Sequence, residues 1–370
     1  MELNEERIIK RFTDYVKITS PSRKEAGFAN VLMNELRACG CTVFMDNAGE
    51  AVDGNCGNLI AYKGGSLPGD PILFSAHMDT VTPCEHIEPQ IDDGIFRSAG
   101  DTILSGDDKA GVVAILEALH YLNEHDIPHR NLEIVFTICE EVGLLGSKHL
   151  DVDRLFAKTA YVLDGDGAPG AVTVQSPAHG FIRADFTGLA KHAGLEPENG
   201  ISAIQMAADA ISRMTLLRID SETSANVGTI HGGAADNIVA ESCTATFEAR
   251  SLDNDKVKIQ MAKMKDILKQ SAERFGGNVD IHAVIEYPAI ALQEEDPVLI
   301  RFRAACEEAG FTYRPESSGG GADASNFVQH GIPAATVGVG MKNVHSVDEY
   351  LAVQDLLDSV RLTVALMRLP

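Results

Sequence analysis

The stretch I-L-F-S-A-H-M-D-T-V at residues 72–81 constrains the fold of this chain more than any other. Residues 72–75 are apolar or small throughout, the pattern of a strand buried on both faces of a parallel sheet. Where that run ends, His77 and Asp79 stand two positions apart. Side chains at i and i+2 of an extended segment point the same way. Asp79 is therefore placed to orient the His77 ring through its second nitrogen, as the partners of metal-bound histidines do. Ligands of open α/β sheets bind outside the carboxyl ends of the strands. One H-x-D is a weak signal alone, and its weight comes from the acids and histidines that follow.

Residues 4–18 and 25–38 carry apolar positions at helical spacing, and strand-like runs follow at 41–45, 57–62 and 71–76. A helix is expected over 108–124, then strands at 132–138 and 160–163. This alternation points to a mainly parallel α/β layer fold. Between 179 and 288 the rhythm changes to strand (180–187), helix (201–216), strand (225–231), strand (238–250), helix (255–275) and strand (279–287). That order, β-α-β-β-α-β, is the split βαβ arrangement of ferredoxin-like domains. Helix 296–309, strand 334–338 and helix 353–367 then resume the α/β pattern. The expected architecture is an α/β catalytic domain made of 1–178 and 289–370, interrupted by a smaller α+β domain at 179–288.

A net charge of −23 over 370 residues argues against nucleic acid or an anionic membrane surface as partner. The amino terminus, M-E-L-N-E-E-R-I-I-K, has no apolar core of a signal peptide. No run approaches the roughly 18 apolar residues of a membrane span. Seven scattered cysteines fit a reducing compartment, so a cytoplasmic location is expected. The C-G-C at 39–41 follows a helical pattern and reads as a helix end and loop rather than a thiol site.

Four further sites share the context of His77. Asp107, in L-S-G-D-D-K-A-G, immediately precedes a helix; Glu140 and Glu141 follow the strand 132–138; Asp164 follows 160–163; His345 lies beyond 334–338. Each has an ordinary alternative in isolation: Asp107 or Asp108 as a helix cap, the glutamates as a solvated first turn, His345 as a surface residue. Taken together, those alternatives leave every acid and histidine at the strand ends idle. Two histidines with several carboxylates suit zinc or a similar divalent ion, and a carboxylate can bridge a pair. Of two adjacent glutamates, one can bind metal while the other shuttles a proton.

S-A-H-M-D-T-V, L-S-G-D-D-K-A-G, E-E-V-G-L-L-G-S-K, V-L-D-G-D-G and V-H-S-V-D-E resemble, in this order, the motifs of the dizinc aminoacylase/carboxypeptidase metallopeptidase family. The peptidase T-like branch is the nearest match, and the resemblance extends through 188–204 and 318–327. It implies a zinc-peptidase catalytic domain with an inserted ferredoxin-like dimerisation (lid) domain, and two Zn2+ per subunit, replaceable by Co2+ or Mn2+. The implied activity is hydrolysis of amide bonds in short peptides, as an aminopeptidase of tripeptidase type. Asp107 would bridge the ions, with His77 and Asp164 completing one site and Glu141 and His345 the other. Asp79 would orient His77, Glu140 would be the general base, and the Asp107–Asp108 peptide would be cis. His192 would reach the partner subunit's active site in a homodimer and stabilise the oxyanion. Asn237 and Arg250 would hold a substrate carboxylate, and Gly319 and Gly320 would line the substrate pocket.

The chain departs from the family pattern after these glycines, where the familiar S-D-A-N appears as A-D-A-S at 322–325. This bears on substrate preference more than on catalysis. Glycine runs at 232–233 and 319–321 lack Walker spacing and a following lysine, against a phosphate site. An N-acyl-amino-acid deacylase or carboxypeptidase would share the same metal motifs. A non-enzymatic metal-binding interaction protein fits less well, because ligands and base are all present.

Overall fold

The computed structural model describes residues 1–369 and divides into two compact units. One comprises Met1–Val174, Leu292–Ser318 and the chain from Ala322 onward; the other comprises Gln175–Ala291 with Gly319–Gly321. The breaks fall after Val174 and after Ala291. The triple glycine groups with the inserted segment rather than with its sequence neighbours.

At the centre of the first unit four parallel strands run in the order Leu132–Thr137, Ile72–His77, Thr159–Gly165, Ala334–Gly338. Antiparallel strands flank them, Leu59–Lys63 and Thr42–Met45 on one side and Ala171–Ser176 on the other. The strand beginning at Ile72 continues through His77 with every side chain buried, two residues further than the apolar run alone marks. His77 pairs in register with Thr137, so the segment carrying Glu140 and Glu141 leaves the sheet at the level of the imidazole.

The helix Gly106–Glu124 is buried from Gly106 through Leu119, as a helix enclosed on all sides must be. It packs on Ile72–His77 and Thr159–Gly165. Gly111 makes this possible, since a Cβ there would lie 2.1 Å from the Leu163 carbonyl oxygen. The buried Glu117 of this helix is neutralised by Arg7 at 2.8 Å and Arg11 at 2.9 Å. A small antiparallel sheet orders Met341–Lys342, Tyr350–Ala352, Ile95–Ser98 and Pro89–Asp92. His345 lies in the connection between its first two strands. The hairpin joining Pro89–Asp92 to Ile95–Ser98 turns at Asp93 and Gly94, both at positive φ (47° and 76°). This is the D-G signature of a tight hairpin, readable in the sequence but not singled out from it.

The second unit is an antiparallel sheet in the order Leu217–Arg218, Thr223–Gly232, Ser242–Ser251, Ala178–Thr187, Asn278–Tyr287. Helices Ala203–Arg213 and Asn254–Phe275 cover one face. Ser242–Ser251 alternates buried and less buried residues along its length, the period of a sheet with one covered face. Its inward residues Ala245 and Phe247 join Ile182, Phe186, Met206 and Leu268 in a core of their own. Strand order and connectivity are those of a ferredoxin-like domain.

Candidate active site

His77 Nε2 stands 2.9 Å from Asp107 Oδ1 and 3.6 Å from Asp164 Oδ1. The other oxygen of Asp107, Oδ2, is 3.2 Å from His345 Nε2, which in turn is 2.8 Å from Glu141 Oε2. One carboxylate therefore turns an oxygen to each of two acid–histidine clusters.

Local backbone chemistry explains why Asp107 rather than Asp108 is available. Asp107 has non-helical φ/ψ of −77° and 107°, and the Asp107–Asp108 peptide is cis. Asp108 caps the helix, accepting from the Gly111 N–H at 3.1 Å through Oδ1, while its Oδ2 accepts from the His77 N–H at 3.1 Å. Asp108 is thus committed to capping, while the adjacent Asp107 carboxylate faces the two histidines. Ligand-type atoms of His77, Asp108 and Asp164 also lie within 4.8 Å of one another, but both oxygens of Asp108 are already engaged.

Asp79 is fully buried, and its carboxylate has a different first task from the one its spacing suggests. Oδ1 accepts from the Glu140 N–H at 2.9 Å, and Oδ2 accepts from the Glu141 N–H at 3.2 Å and the Ser22 hydroxyl at 2.7 Å. The His77 ring meets the Asp79 main-chain carbonyl at 2.9 Å, whereas the carboxylate is 3.4 Å away. The carbonyl is the closer orienting partner, and the carboxylate anchors the pair of glutamates.

Electrostatics at the site match a bound cation. Burial pushes Asp164 up to about 7. Glu140 is raised well above the carboxylate range by burial and then by the Asp164 charge. Burial also raises Glu141. Hydrogen bonds to Asp107 and Glu141 raise His345 to about 10. Burial opposes ionisation of Asp107, but His345 and His77 prevail and hold it below its ordinary range. Buried carboxylates crowd two imidazoles here, and Glu141 Oε1 is buried with no hydrogen-bond partner. A donor set of hard oxygens and imidazoles with an unsatisfied buried oxygen fits divalent metal.

Two further acids position these groups and were not singled out from the sequence. Glu349, in the same V-H-S-V-D-E motif as His345, accepts from the N–H groups of Leu104 (2.8 Å), Ser105 (2.8 Å) and Asp107 (3.0 Å). Asp323 accepts from Thr137 Oγ1 and Ser147 Oγ, tying together the two ends of the segment that carries the glutamates. In the altered A-D-A-S sequence, Ser325 Oγ is buried without a partner. The next residue, Asn326, donates its amide to the Leu144 carbonyl and Ser147 Oγ, both at 2.9 Å.

The remaining expected residues belong to the second unit. His192 is exposed and bridges to Ile238. The Ala193 N–H donates to the Asn237 carbonyl at 2.9 Å, so His192 and Asn237 occupy neighbouring segments. The His192 Nδ1 accepts from the Gly194 N–H at 3.1 Å. Arg250 contacts Glu248 Oε2 at 3.2 Å, and the same oxygen is 3.3 Å from His179 Nε2. The nearby His179 ring is the largest influence lowering Glu248 to about 2, against burial and with added help from Arg250. Gly319 and Gly320 belong to a loop whose Gly321 abuts Tyr287, a ring that a Cβ would approach to 2.3 Å.

Residues 73–369 match the model of Peptidase family M20/M25/M40. The chain belongs to this family. Aminopeptidase PepT from Bacillus cereus ATCC 10987 is 40% identical, with a TM-score of 0.89, covering 99% of this chain and 98% of that one. A tripeptidase from Staphylococcus aureus subsp. aureus Mu50 is 33% identical, with a TM-score of 0.92 and the same coverage. The uncharacterised YqjE of Bacillus subtilis (strain 168) is 37% identical over 365 residues, 99% of this chain and 98% of that protein. This M20/M25/M40 chain is a metal-dependent peptidase of the peptidase T-like branch.

Proposed function

We propose that this peptidase is a two-zinc aminopeptidase of tripeptidase type, active as a homodimer in the cytoplasm. The observation that carries the two-ion assignment is the Asp107 carboxylate facing His77 with one oxygen and His345 with the other. Asp107 would bridge the ions, His77 and Asp164 completing one site and Glu141 and His345 the other. The similarity to PepT and to a tripeptidase supports the choice of substrate. Seven free, buried cysteines support a reducing compartment.

The bound ions supply Lewis-acid polarisation of the scissile carbonyl and lower the pKa of a water. Glu140 takes the proton of the attacking water and returns it to the departing amine, a role suited to a carboxylate whose pKa is raised. Asp79 fixes the spacing of Glu140 and Glu141 by accepting both of their N–H groups. On His192 the Gly194 N–H occupies Nδ1, so the neutral ring carries its proton on Nε2. That N–H would donate to the oxyanion formed in the partner subunit. Arg250 offers a planar fork for the substrate carboxylate, exchanging its contact with Glu248.

The test is to load the purified protein with zinc, cobalt or manganese and assay tripeptides, dipeptides, N-acetylated tripeptides and N-acyl amino acids. Two ions per chain and turnover that needs a free amino terminus are expected. Preference for the N-acyl substrates would assign a deacylase instead, and saturation at one ion would remove the bridging role of Asp107.

A further inference from the structure

The parallel strands that carry the metal site at their carboxyl ends have an opposite pole, and it is not plain surface. There a cavity of about 550 Å3 is bounded by Pro71, Thr159, Arg130, Lys158 and one face of the helix Pro297–Ala309. Ile300, Arg301 and Ala304 line it at the i, i+1 and i+4 positions of that helix. Its volume falls in the range of small-molecule sites. About 20 Å of strand separates it from His77, taking six residues at the usual rise.

Three cations line the cavity against one acid, Asp70, among the described residues. In a chain of net charge −23 this local reversal of sign stands out. Arg130 is the most telling of the three. Its Nε is buried with no hydrogen-bond partner, although a buried guanidinium N–H normally finds an acceptor. The guanidinium is held by packing instead. Gly69, at φ 126°, closes over it so tightly that a Cβ there would lie 2.6 Å from Arg130 Cζ. Arg301 is fixed from the other side, donating through Nη1 to the carbonyls of Leu369 (2.9 Å) and Leu366 (3.4 Å). Burial lowers the Arg301 pKa, and the Arg130 charge adds to the effect. Pro71, Ile300 and Ala304 supply apolar surface between the cations.

We propose that this cavity is a binding site for a small organic anion with a compact apolar body, separate from the metal centre. The anionic head would meet the Arg130 guanidinium where it lines the cavity, with Lys158 and Arg301 adding charge. The apolar body would lie on Ile300, Ala304 and Pro71. Carboxylate, sulfonate and phosphate heads share this chemistry, and the apolar floor separates such ligands from inorganic ions.

The experiment is calorimetric titration of the metal-loaded protein, at fixed ionic strength, with hexanesulfonate, hexanoate, inorganic phosphate and sodium chloride. Saturable one-to-one binding of hexanesulfonate or hexanoate, tighter than that of phosphate, is expected. Arg130→Gln should weaken it roughly tenfold or more, the loss of one charge-assisted contact, and leave tripeptide turnover unchanged. Lys158→Gln, at an exposed position, should weaken it by a smaller factor and serves if Arg130→Gln does not fold. Equal binding by wild type and both variants would place the anions elsewhere, including at the metal centre, and overturn the proposal. So would heats that match the chloride control, or binding of phosphate as tight as that of the organic anions.

Discussion

Glu349 is the residue whose replacement separates metal affinity from ligand chemistry, because it binds no ion in the proposed site yet holds the loop that does. Its side chain is 2% exposed and accepts from three N–H groups, Oε2 from Leu104 and Ser105 and Oε1 from Asp107. In Glu349→Gln the amide oxygen can keep the two contacts of Oε2, while the amide nitrogen would face the Asp107 N–H as donor to donor. One buried donor is left unsatisfied, at about 1–3 kcal/mol. Glu349→Ala orphans all three donors and should cost about 3–9 kcal/mol on the same scale, less whatever water recovers. The released Asp107 backbone lets its carboxylate drift, and because that carboxylate faces both clusters, both ions should weaken together. Loss of a group that orients a ligand typically lowers metal affinity by about 10–100-fold. Zinc competition titrations on Glu349→Gln, with thermal denaturation of the metal-free protein in parallel, read both quantities. His345→Ala is the comparison and should weaken one ion far more than the other. If Glu349→Gln keeps wild-type affinity for both ions and wild-type metal-free stability, the argument linking the V-H-S-V-D-E segment to Asp107 is refuted.

Glu140→Gln should retain both metals while kcat falls by about 10²–10⁴-fold, the usual contribution of a general base, whereas Glu141→Gln should lose metal as well; equal metal content and activity in the two variants would undo the division of roles. His192→Ala should keep its metals and lose kcat rather than gain KM. Mixing it with Glu140→Gln chains should restore activity through heterodimers holding one intact site, and no recovery despite demonstrated subunit exchange would rule out a site shared between subunits. Glu248 has its pKa depressed from 4.5 to about 2, so its contribution to stability is fully present above 4.5 and is lost as pH falls through 2. The stability gap between wild type and Glu248→Gln should therefore close over that interval in acid denaturation, and a gap independent of pH would show that the carboxylate charge is not what stabilises the strand pair.

The layout of the fold is legible in the sequence because its elements differ in period. Mostly apolar runs at 72–77 and 132–137 mark buried strands, and the alternation along Ser242–Ser251 marks a sheet covered on one face. Two-residue elements such as Leu217–Arg218 and Met341–Lys342 are not, because too few residues carry a period. The metal-ligand candidates are legible for a topological reason: parallel strands bring residues distant in sequence to the same edge, so acids and histidines after successive strands become neighbours by connectivity alone. The groups that hold those side chains in place are less legible, and the reason is chemical. Asp79 acts chiefly through N–H groups of Glu140 and Glu141, Asp108 through those of His77 and Gly111, and Glu349 through those of Leu104, Ser105 and Asp107. Every residue but proline offers an N–H, so nothing in the identity of the donors reveals the pairing. An acid that binds metal betrays itself by the company of other ligands, whereas an acid that binds backbone is revealed only by the path of the loop around it. Acidic residues within these motifs that carry no ligand role are the natural candidates for such supports, and Glu349, four residues beyond His345, is where that rule points.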